Sequence, residues 1–242
     1  MRIKEKVLMD RQGLFTHGPI TIAALGDSIT HGAFEADVYD YENVYWNVLR
    51  RKIQAAYPYI PVNVINAGLG GYKASNSYMR MDRQVLLHEP DLVIVCFGLN
   101  DVQNELETYL KYLRIIFEKI KNQGADCIFM TPNMLCTRVA DDVAPEHLNI
   151  AKRLAEIQNS GRMDLYMQSA VALAKEMDVT VCDCYSEWKK WSETQDITLL
   201  LANRVNHPSR EMHAFFAEKL YQTIFGNTQT NCVKDDAMYN GE

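Results

Sequence analysis

Four stretches of the sequence carry groups that could act together in one reaction. Ser28 lies in ALGDSITHG, several glycines lie in INAGLGGYKASN, Asn100 lies in CFGLND, and His207 lies in NRVNHPSREMH. A serine hydroxyl is a weak nucleophile until a neighbouring base removes its proton, and histidine commonly serves as that base. Glycine backbone N–H groups and an asparagine amide can stabilise the oxyanion of a tetrahedral intermediate. Together these residue types are typical of acyl transfer.

Each stretch also has an ordinary structural explanation. Gly, Asp and Ser form tight turns and cap helices, glycine-rich turns are common, and Asn100 could form a turn that opens a helix. His207 precedes Pro208, and proline is favoured at the first position of a helix. The chemical interpretation therefore depends on a fold that brings all four stretches to one place.

Five short apolar runs are predicted to be β-strands. They span Ile20–Leu25, Val62–Ile65, Leu92–Phe97, Cys127–Met130 and Val179–Cys182. The runs lack alternation of apolar and polar residues, as expected for parallel strands covered on both faces. Segments of helical periodicity separate them, the clearest from Leu106 to Ile120. This order predicts an α/β fold, a three-layer α/β/α sandwich with a five-stranded, mainly parallel, doubly wound sheet of flavodoxin-like type.

This fold would assemble the four stretches. Ser28, the glycine-rich stretch and Asn100 follow the first three predicted strands, and ligands of doubly wound sheets bind at the carboxyl ends of the strands. Further helices are predicted at Val44–Ala56, Met79–Leu87, Arg162–Met177 and Met212–Ile224. The connection from Thr131 to Asp178 is longer than one crossover helix requires. Its first part, PNMLCTRVADDVAPEH, either covers the site or is a surface excursion.

Composition narrows the class of protein. The 242 residues carry a net charge of -6, which argues against a nucleic-acid partner. No apolar run is long enough for a membrane span or a signal peptide, so we expect a cytoplasmic protein, although a signal removed beforehand would leave no trace. Cys96, Cys127 and Cys182 lie in apolar runs and are expected to be reduced core thiols. The scattered histidines indicate neither a metal nor another cofactor.

The same four stretches resemble the SGNH hydrolases, the GDSL-type esterases and lipases. GDSIT matches the first block of that family, NAGLGG the second, GLND the third and NHPSREMH the fourth. The resemblance extends from about residue 20 to residue 220. It implies that Ser28 is the nucleophile and His207 the base, and that the Ser28 N–H, the Gly71 N–H and the Asn100 side chain form the oxyanion hole.

One position departs from the family pattern. The family usually has an aspartate three residues before the histidine, where this chain has Arg204, and a guanidinium cannot accept the imidazole N–H. Three alternatives are open: a backbone carbonyl near Asn203 orients the ring, Ser28 and His207 act as a dyad, or Asp183 reaches the ring. For Asp183, a helix-capping or loop role is the competing interpretation.

Other residues near the four stretches are candidates for the substrate pocket. They are Asp27, His31, Phe34 and Arg204, with turn, core and surface roles as the alternatives. We expect a serine esterase that hydrolyses small O-acyl esters, with acetyl groups on carbohydrates as the first choice of substrate. The alternative is a non-catalytic ligand-binding domain that has lost the aspartate. Residues 1–226 are expected to form one domain with a core from about 20 to 225, followed by a flexible tail at 227–242. The oligomeric state is not predicted.

Overall fold

The fold is built on a single parallel sheet. The structure is a computed structural model that describes residues 1–226. Its strands are β1 (Ile20–Gly26), β2 (Val62–Gly68), β3 (Leu92–Cys96), β4 (Asp126–Met130) and β5 (Thr180–Cys182). They lie in the order β2-β1-β3-β4-β5, and every neighbouring pair is parallel. This is the doubly wound order of flavodoxin-like proteins, so the predicted fold class is confirmed.

Helices cover both faces of the sheet. They are α1 (Arg2–Lys6), α2 (Arg11–His17), α3 (Ser28–His31), α4 (Tyr45–Ala56), α5 (Ala74–Ser77), α6 (Met81–Gln84), α7 (Leu106–Asn122), α8 (Leu148–Asn159), α9 (Arg162–Glu176), α10 (Tyr185–Ser192) and α11 (Arg210–Phe225). Helices α4 and α11 pack against each other on one face, and α7 and α9 pack against each other on the other. β3 is therefore buried along its whole length, which explains its purely apolar sequence.

Periodicity explains where α7 packs. Its buried residues are Tyr109, Leu113, Ile116, Phe117 and Ile120, which recur at intervals of three and four. This spacing places them on one side of the helix, facing the sheet. The helix was predicted from this pattern, and the structure confirms it.

The prediction of one helix over Met79–Leu87 is wrong. Helix α6 ends at Gln84, and a short 3-10 helix follows at Leu86–His88. Between them, Val85 has φ -127° and ψ -64°, outside the helical region, and its side chain is fully buried. Burial of Val85 in the core requires a non-helical backbone here, and this tertiary packing outweighs the local helix propensity of the segment.

Helix α3 begins immediately after β1 because the strand ends leave room for its backbone. A Cβ atom added at Gly68 would overlap the backbone of Thr30 and His31, and one added at Gly26 would lie 2.8 Å from the Cys96 carbonyl oxygen. Glycine at both positions lets α3 sit directly on the carboxyl ends of β1 and β2. Ser28, the first residue of α3, is thereby held at the edge of the sheet.

Cys96, Cys127 and Cys182 are buried and form no disulfide, as predicted. No helix within residues 1–226 is long and apolar enough to cross a membrane. The tail predicted at 227–242 lies outside the described residues.

Candidate active site

Ser28 is placed by the turn between β1 and α3. The preceding residue, Asp27, is buried, and its Oδ1 accepts a hydrogen bond of 3.0 Å from the Ile29 backbone N–H. Asp27 is therefore the N-cap of α3. Ser28 itself is 8 % exposed, so its hydroxyl lies at a protected edge of the sheet.

The Ser28 hydroxyl and the His207 imidazole are hydrogen-bonded although 179 positions separate them. Ser28 Oγ lies 3.0 Å from His207 Nε2, and His207 Nδ1 lies 2.9 Å from the backbone carbonyl oxygen of Phe34. A carbonyl oxygen can only accept, so Nδ1 carries the proton and Nε2 accepts from the serine hydroxyl. This is the tautomer that a base requires to remove a proton from Ser28.

The loop before His207 is organised by Asn203. The side-chain oxygen of Asn203 accepts hydrogen bonds from the backbone N–H groups of Val205, Asn206 and His207, at 3.0, 3.0 and 2.9 Å. Arg204, in the middle of this turn, has φ +58°, a left-handed conformation that is uncommon for a residue other than glycine. Asn203 thus fixes the backbone that carries the imidazole.

The segment that supplies the Phe34 carbonyl is tied to α11. Arg210 binds Glu35 at 2.8 Å and Asp40 at 2.8 Å, and its guanidinium lies 4.6 Å from the centre of the Phe34 ring. The hydrogen bond from Arg210 holds the pKa of Glu35 below its ordinary value. Arg210 therefore anchors the segment from which the carbonyl reaches His207.

The predicted oxyanion donors belong to two stretches that approach the turn carrying Ser28: Asn100 lies near Asp27, and a Cβ built on Gly70, the neighbour of Gly71, would lie 4.0 Å from Ser28 Cβ. Asn100 Nδ2 donates to the Tyr72 carbonyl oxygen at 3.0 Å and lies 3.5 Å from Asp27 Oδ2, next to the serine. Gly71 has φ +75°, and its N–H has no hydrogen-bond partner within residues 1–226. A backbone N–H left free at this point is available to an anion.

Buried ionisable groups surround the site. Burial raises the pKa of Asp27 and of Asp101 to about 7, and for Asp27 the neighbouring Asp101 adds to the effect. Burial also lowers the pKa of His207 below its ordinary value of 6.5. The Phe34 carbonyl opposes this change, and nearby His147 adds to it. A lowered pKa keeps the imidazole neutral, the form that accepts a proton.

The structure corrects the expectations about the group that orients the His207 imidazole. Asp183 accepts hydrogen bonds from Thr131 Oγ1 at 3.0 Å and from the Ser186 backbone N–H at 3.1 Å, so it binds the first turn of α10 and not His207. The prediction of Asp183 as a catalytic residue is wrong. The orienting backbone carbonyl is also not one near Asn203. Phe34, on the opposite loop, provides it.

Three of the four pocket candidates have other roles. Arg204 pairs with Asp142 at 3.0 Å and donates to the carbonyl oxygens of Leu199 and Leu201, and it is not among the residues that line the cavity beside His207. Asp27 is buried, and Phe34 contributes its carbonyl while its ring is fully buried against His213. His31 remains at the edge of the site. Its ring contacts Tyr39 at 4.7 Å, and a Cβ built on Gly70 would lie 3.9 Å from its Nδ1.

Sequence reasoning did not identify His147 as a site residue, and it pointed to Asn203 only for a nearby backbone carbonyl and not for its side chain. A cavity of about 360 Å³ borders His207 and is lined by both of them. His147 lies just before α8, in the long connection after β4. Its histidine type was the only available signal, and no periodicity placed it near the strand ends. No cluster of His, Cys, Asp and Glu within residues 1–226 is arranged to hold a metal ion.

Comparison with known proteins gives the class of the chain. The GDSL-like Lipase/Acylhydrolase family matches residues 24–215, and the chain belongs to this family. An acetylxylan esterase from Geobacillus stearothermophilus is 26 % identical over 123 residues, which cover 45 % of this chain and 56 % of that protein. The matched segment thus spans little more than half of this relative.

Solved structures share the fold. The crystal structure of an acetylxylan esterase from Geobacillus stearothermophilus has a TM-score of 0.67 and 21 % identity, and the match covers 87 % of this chain and 95 % of that one. The lipase/acylhydrolase from Enterococcus faecalis has a TM-score of 0.65 and 23 % identity, covering 85 % and 95 %. Catalytic mutants of the Geobacillus enzyme have been solved with a serine or a histidine replaced by alanine.

Proposed function

We propose that the protein is a serine esterase that removes acetyl groups from small O-acyl esters, with acetylated carbohydrates as substrates. The hydrogen-bonded series from Ser28 Oγ through His207 to the Phe34 carbonyl carries the proposal. A serine and a histidine in this arrangement have the nucleophile and base that acyl transfer requires. The carbohydrate assignment rests on the acetylxylan esterases that the chain resembles.

In the first half of the reaction, Ser28 Oγ attacks the ester carbonyl while His207 Nε2 takes its proton. The resulting oxyanion accepts hydrogen bonds from the Ser28 N–H, the Gly71 N–H and the Asn100 side chain. Nε2 then gives the proton to the alcohol oxygen, the carbon–oxygen bond breaks, and the acyl group remains on Ser28. Because Nδ1 stays hydrogen-bonded to the Phe34 carbonyl throughout, the ring keeps its orientation.

In the second half, water replaces the alcohol. His207 removes a proton from water, the hydroxide attacks the acyl-serine, and the same donors hold the oxyanion. Breakdown of this intermediate releases acetate and returns the proton to Ser28 Oγ. The cycle uses only groups of this chain and one water molecule.

Hydrolysis of p-nitrophenyl acetate by purified variants tests the proposal. Ser28→Ala should lower kcat by about 10⁴-fold or more, as loss of a nucleophile does in serine hydrolases. Asn100→Ala should lower it by about 10²–10³-fold through the loss of one oxyanion donor. Ser169→Ala, on the half-exposed surface of α9, is the matched control and should leave kcat unchanged.

The competing function is a binding domain of the same fold that lacks catalysis. Such a protein needs no activated serine, so its slow background hydrolysis would be the same in wild type and in Ser28→Ala. Equal rates in these two proteins would refute the esterase proposal and favour the binding domain.

A further inference from the structure

The cavity beside His207 has a definite position relative to the reacting groups. Three segments form its walls. One is Ala33 with residues 35–39, the second is His147 and Ile150 in the connection after β4, and the third is the loop before His207, with Asn203 and Asn206. None of the three groups assigned to the oxyanion, Ser28, Gly71 and Asn100, lines it. The cavity therefore adjoins the base and not the oxyanion donors.

This position matches one part of an ester. The carbonyl oxygen of a bound ester must point towards the oxyanion donors, whereas the alcohol oxygen must come within hydrogen-bond distance of His207 Nε2 to receive its proton. A cavity that borders His207 alone is on the alcohol side. This step rests on the proposed function, because it uses His207 as the acid that protonates the leaving group.

Two residues of the cavity wall, His147 and Asn206, have polar side-chain atoms without partners. His147 Nδ1 is buried without a hydrogen-bond partner, and its Nε2 also has none within residues 1–226. Asn206 uses its side-chain oxygen to accept from Asn203, which leaves Nδ2 without a partner in the same part of the chain. Half-buried polar groups are normally satisfied, so His147 Nε2 and Asn206 Nδ2 would gain from contact with hydroxyl groups of a ligand.

The charges and side chains of the cavity wall also limit which class of alcohol can bind there. The lining residues include no lysine or arginine, and their two carboxylates are Glu35, which is bound to Arg210, and Asp37. Such walls do not favour an alcohol that carries a phosphate or carboxylate. Tyr39 is 50 % exposed and offers a ring face for the C–H surface of a sugar.

We propose that this cavity binds the leaving alcohol as a neutral, polyhydroxylated ring, and that His147 determines specificity by hydrogen bonding one of its hydroxyl groups. His147 then contributes to the hydrolysis of sugar esters. It contributes nothing to the hydrolysis of esters whose alcohol part carries no further hydroxyl group.

The test compares three acetate esters at pH 8, where His207 is neutral. They are a monoacetylated methyl xyloside, butyl acetate and p-nitrophenyl acetate, each assayed with wild type, His147→Ala, His147→Gln and His88→Ala. His88 is exposed and lies outside the cavity, which makes it the matched control. We expect His147→Ala to lower kcat/KM for the xyloside by about tenfold or more. For butyl acetate and p-nitrophenyl acetate, kcat/KM should change by less than twofold. His147→Gln should recover part of the loss, and His88→Ala should behave as wild type.

Two outcomes overturn the inference. Equal losses on all three esters would mean that His147 acts through the catalytic machinery, and no loss on any ester would mean that it does not touch the substrate. Inhibition of p-nitrophenyl acetate hydrolysis by methyl xyloside provides a second measurement. It should be present in wild type and weaker in His147→Gln, and equal inhibition in both contradicts the inference. If wild type shows no Ser28-dependent hydrolysis, the proposed function itself fails.

Discussion

A main-chain carbonyl, rather than a carboxylate, holds the imidazole of His207. Both acceptors fix the tautomer, but the carbonyl of Phe34 brings no full negative charge to stabilise the imidazolium that the proposed mechanism requires. The pKa of His207 is accordingly lowered by burial, without a carboxylate to raise it. We infer that orientation is retained at this site while electrostatic support of the imidazolium is reduced.

The pH dependence of kcat/KM tests this inference. His207 must be neutral to act as a base, and its lowered pKa places the acid limb for p-nitrophenyl acetate below pH 6.5. His147→Gln should move the limb to higher pH, because the charge on His147 lowers the pKa of His207. An acid limb at pH 7 or above in wild type would contradict the assignment, as would a limb that does not move in the variant.

At the residue scale, the sequence could identify side chains but not backbone partners. Ser28 and His207 were predicted to meet because the fold brings a strand end and a helix start to one edge, and the structure places them 3.0 Å apart. The Phe34 carbonyl could not be predicted, since every residue has a carbonyl and its residue type gives no signal. Arg204 ruled out the usual aspartate without indicating what replaces it.

At the element scale, two loops position His207 from opposite sides. The loop before His207 is held by the side chain of Asn203, and the segment at Phe34 is held by the ion pairs of Arg210 with Glu35 and Asp40. Both loops lie outside helices and strands. Side-chain hydrogen bonds, rather than a regular backbone ladder, therefore fix the geometry of the base.

Arg210→Met should impair catalysis more than stability. Partly exposed ion pairs contribute only about 0–1 kcal/mol to folding, but movement of the Phe34 carbonyl would misalign His207. We expect about a tenfold loss of kcat for p-nitrophenyl acetate. The matched control is Arg114→Met, which removes an exposed ion pair with Glu176 on the far helices and should leave kcat unchanged. Equal kcat values in the two variants would show that the Arg210 contacts do not position the base.

Strands and helices could be predicted where burial alone determines which positions are apolar. The five strands are apolar runs and α7 has a regular apolar face, so hydrophobicity was sufficient to find them. The break at Val85 depends on tertiary packing. Helices α8 and α10 were not predicted: α8 lies within the long connection after β4, and α10 is a short helix that begins at Tyr185, with two residues between it and the end of β5. As a result, the position of His147 at the start of α8 could be known only from the structure.

At the scale of the whole molecule, buried ionisable groups make stability depend on pH in two opposite ways. Burial lowers the pKa of His213 to about 3 from 6.5, so the free energy of unfolding falls as pH drops from 6.5 towards 3. Asp27 and Asp101 have pKa values raised from 3.8 to about 7. They retain protons in the folded state, so the free energy of unfolding also falls as pH rises through that range.

His213→Gln separates these contributions. His213 Nδ1 accepts from the Tyr45 backbone N–H at 3.1 Å, and the glutamine oxygen can replace this acceptor without titrating. Between pH 7 and pH 5, wild type should lose about 2 kcal/mol more of its unfolding free energy than the variant does. Urea denaturation at the two pH values measures this difference. If both proteins change by the same amount, His213 does not remain neutral in the folded state.

The topology as a whole explains why so much of the site could be predicted. In the order β2-β1-β3-β4-β5, the chain reverses its direction of winding between β1 and β3, and ligands of such sheets bind at that point. Ser28 follows β1 and Asn100 follows β3. The residues that the sequence could not place, Phe34 and His147, belong to connections whose paths the sheet does not determine.

Covalent labelling with a fluorophosphonate, followed by mass spectrometry of the intact protein and of its peptides, tests most directly whether Ser28 is activated by His207. We expect wild type to take up one adduct, located on Ser28, and we expect little labelling of Ser28→Ala or His207→Ala. Ser169→Ala should be labelled as wild type is. An absence of labelling in wild type, an adduct on another residue, or equal labelling of His207→Ala would contradict the proposed nucleophile and base.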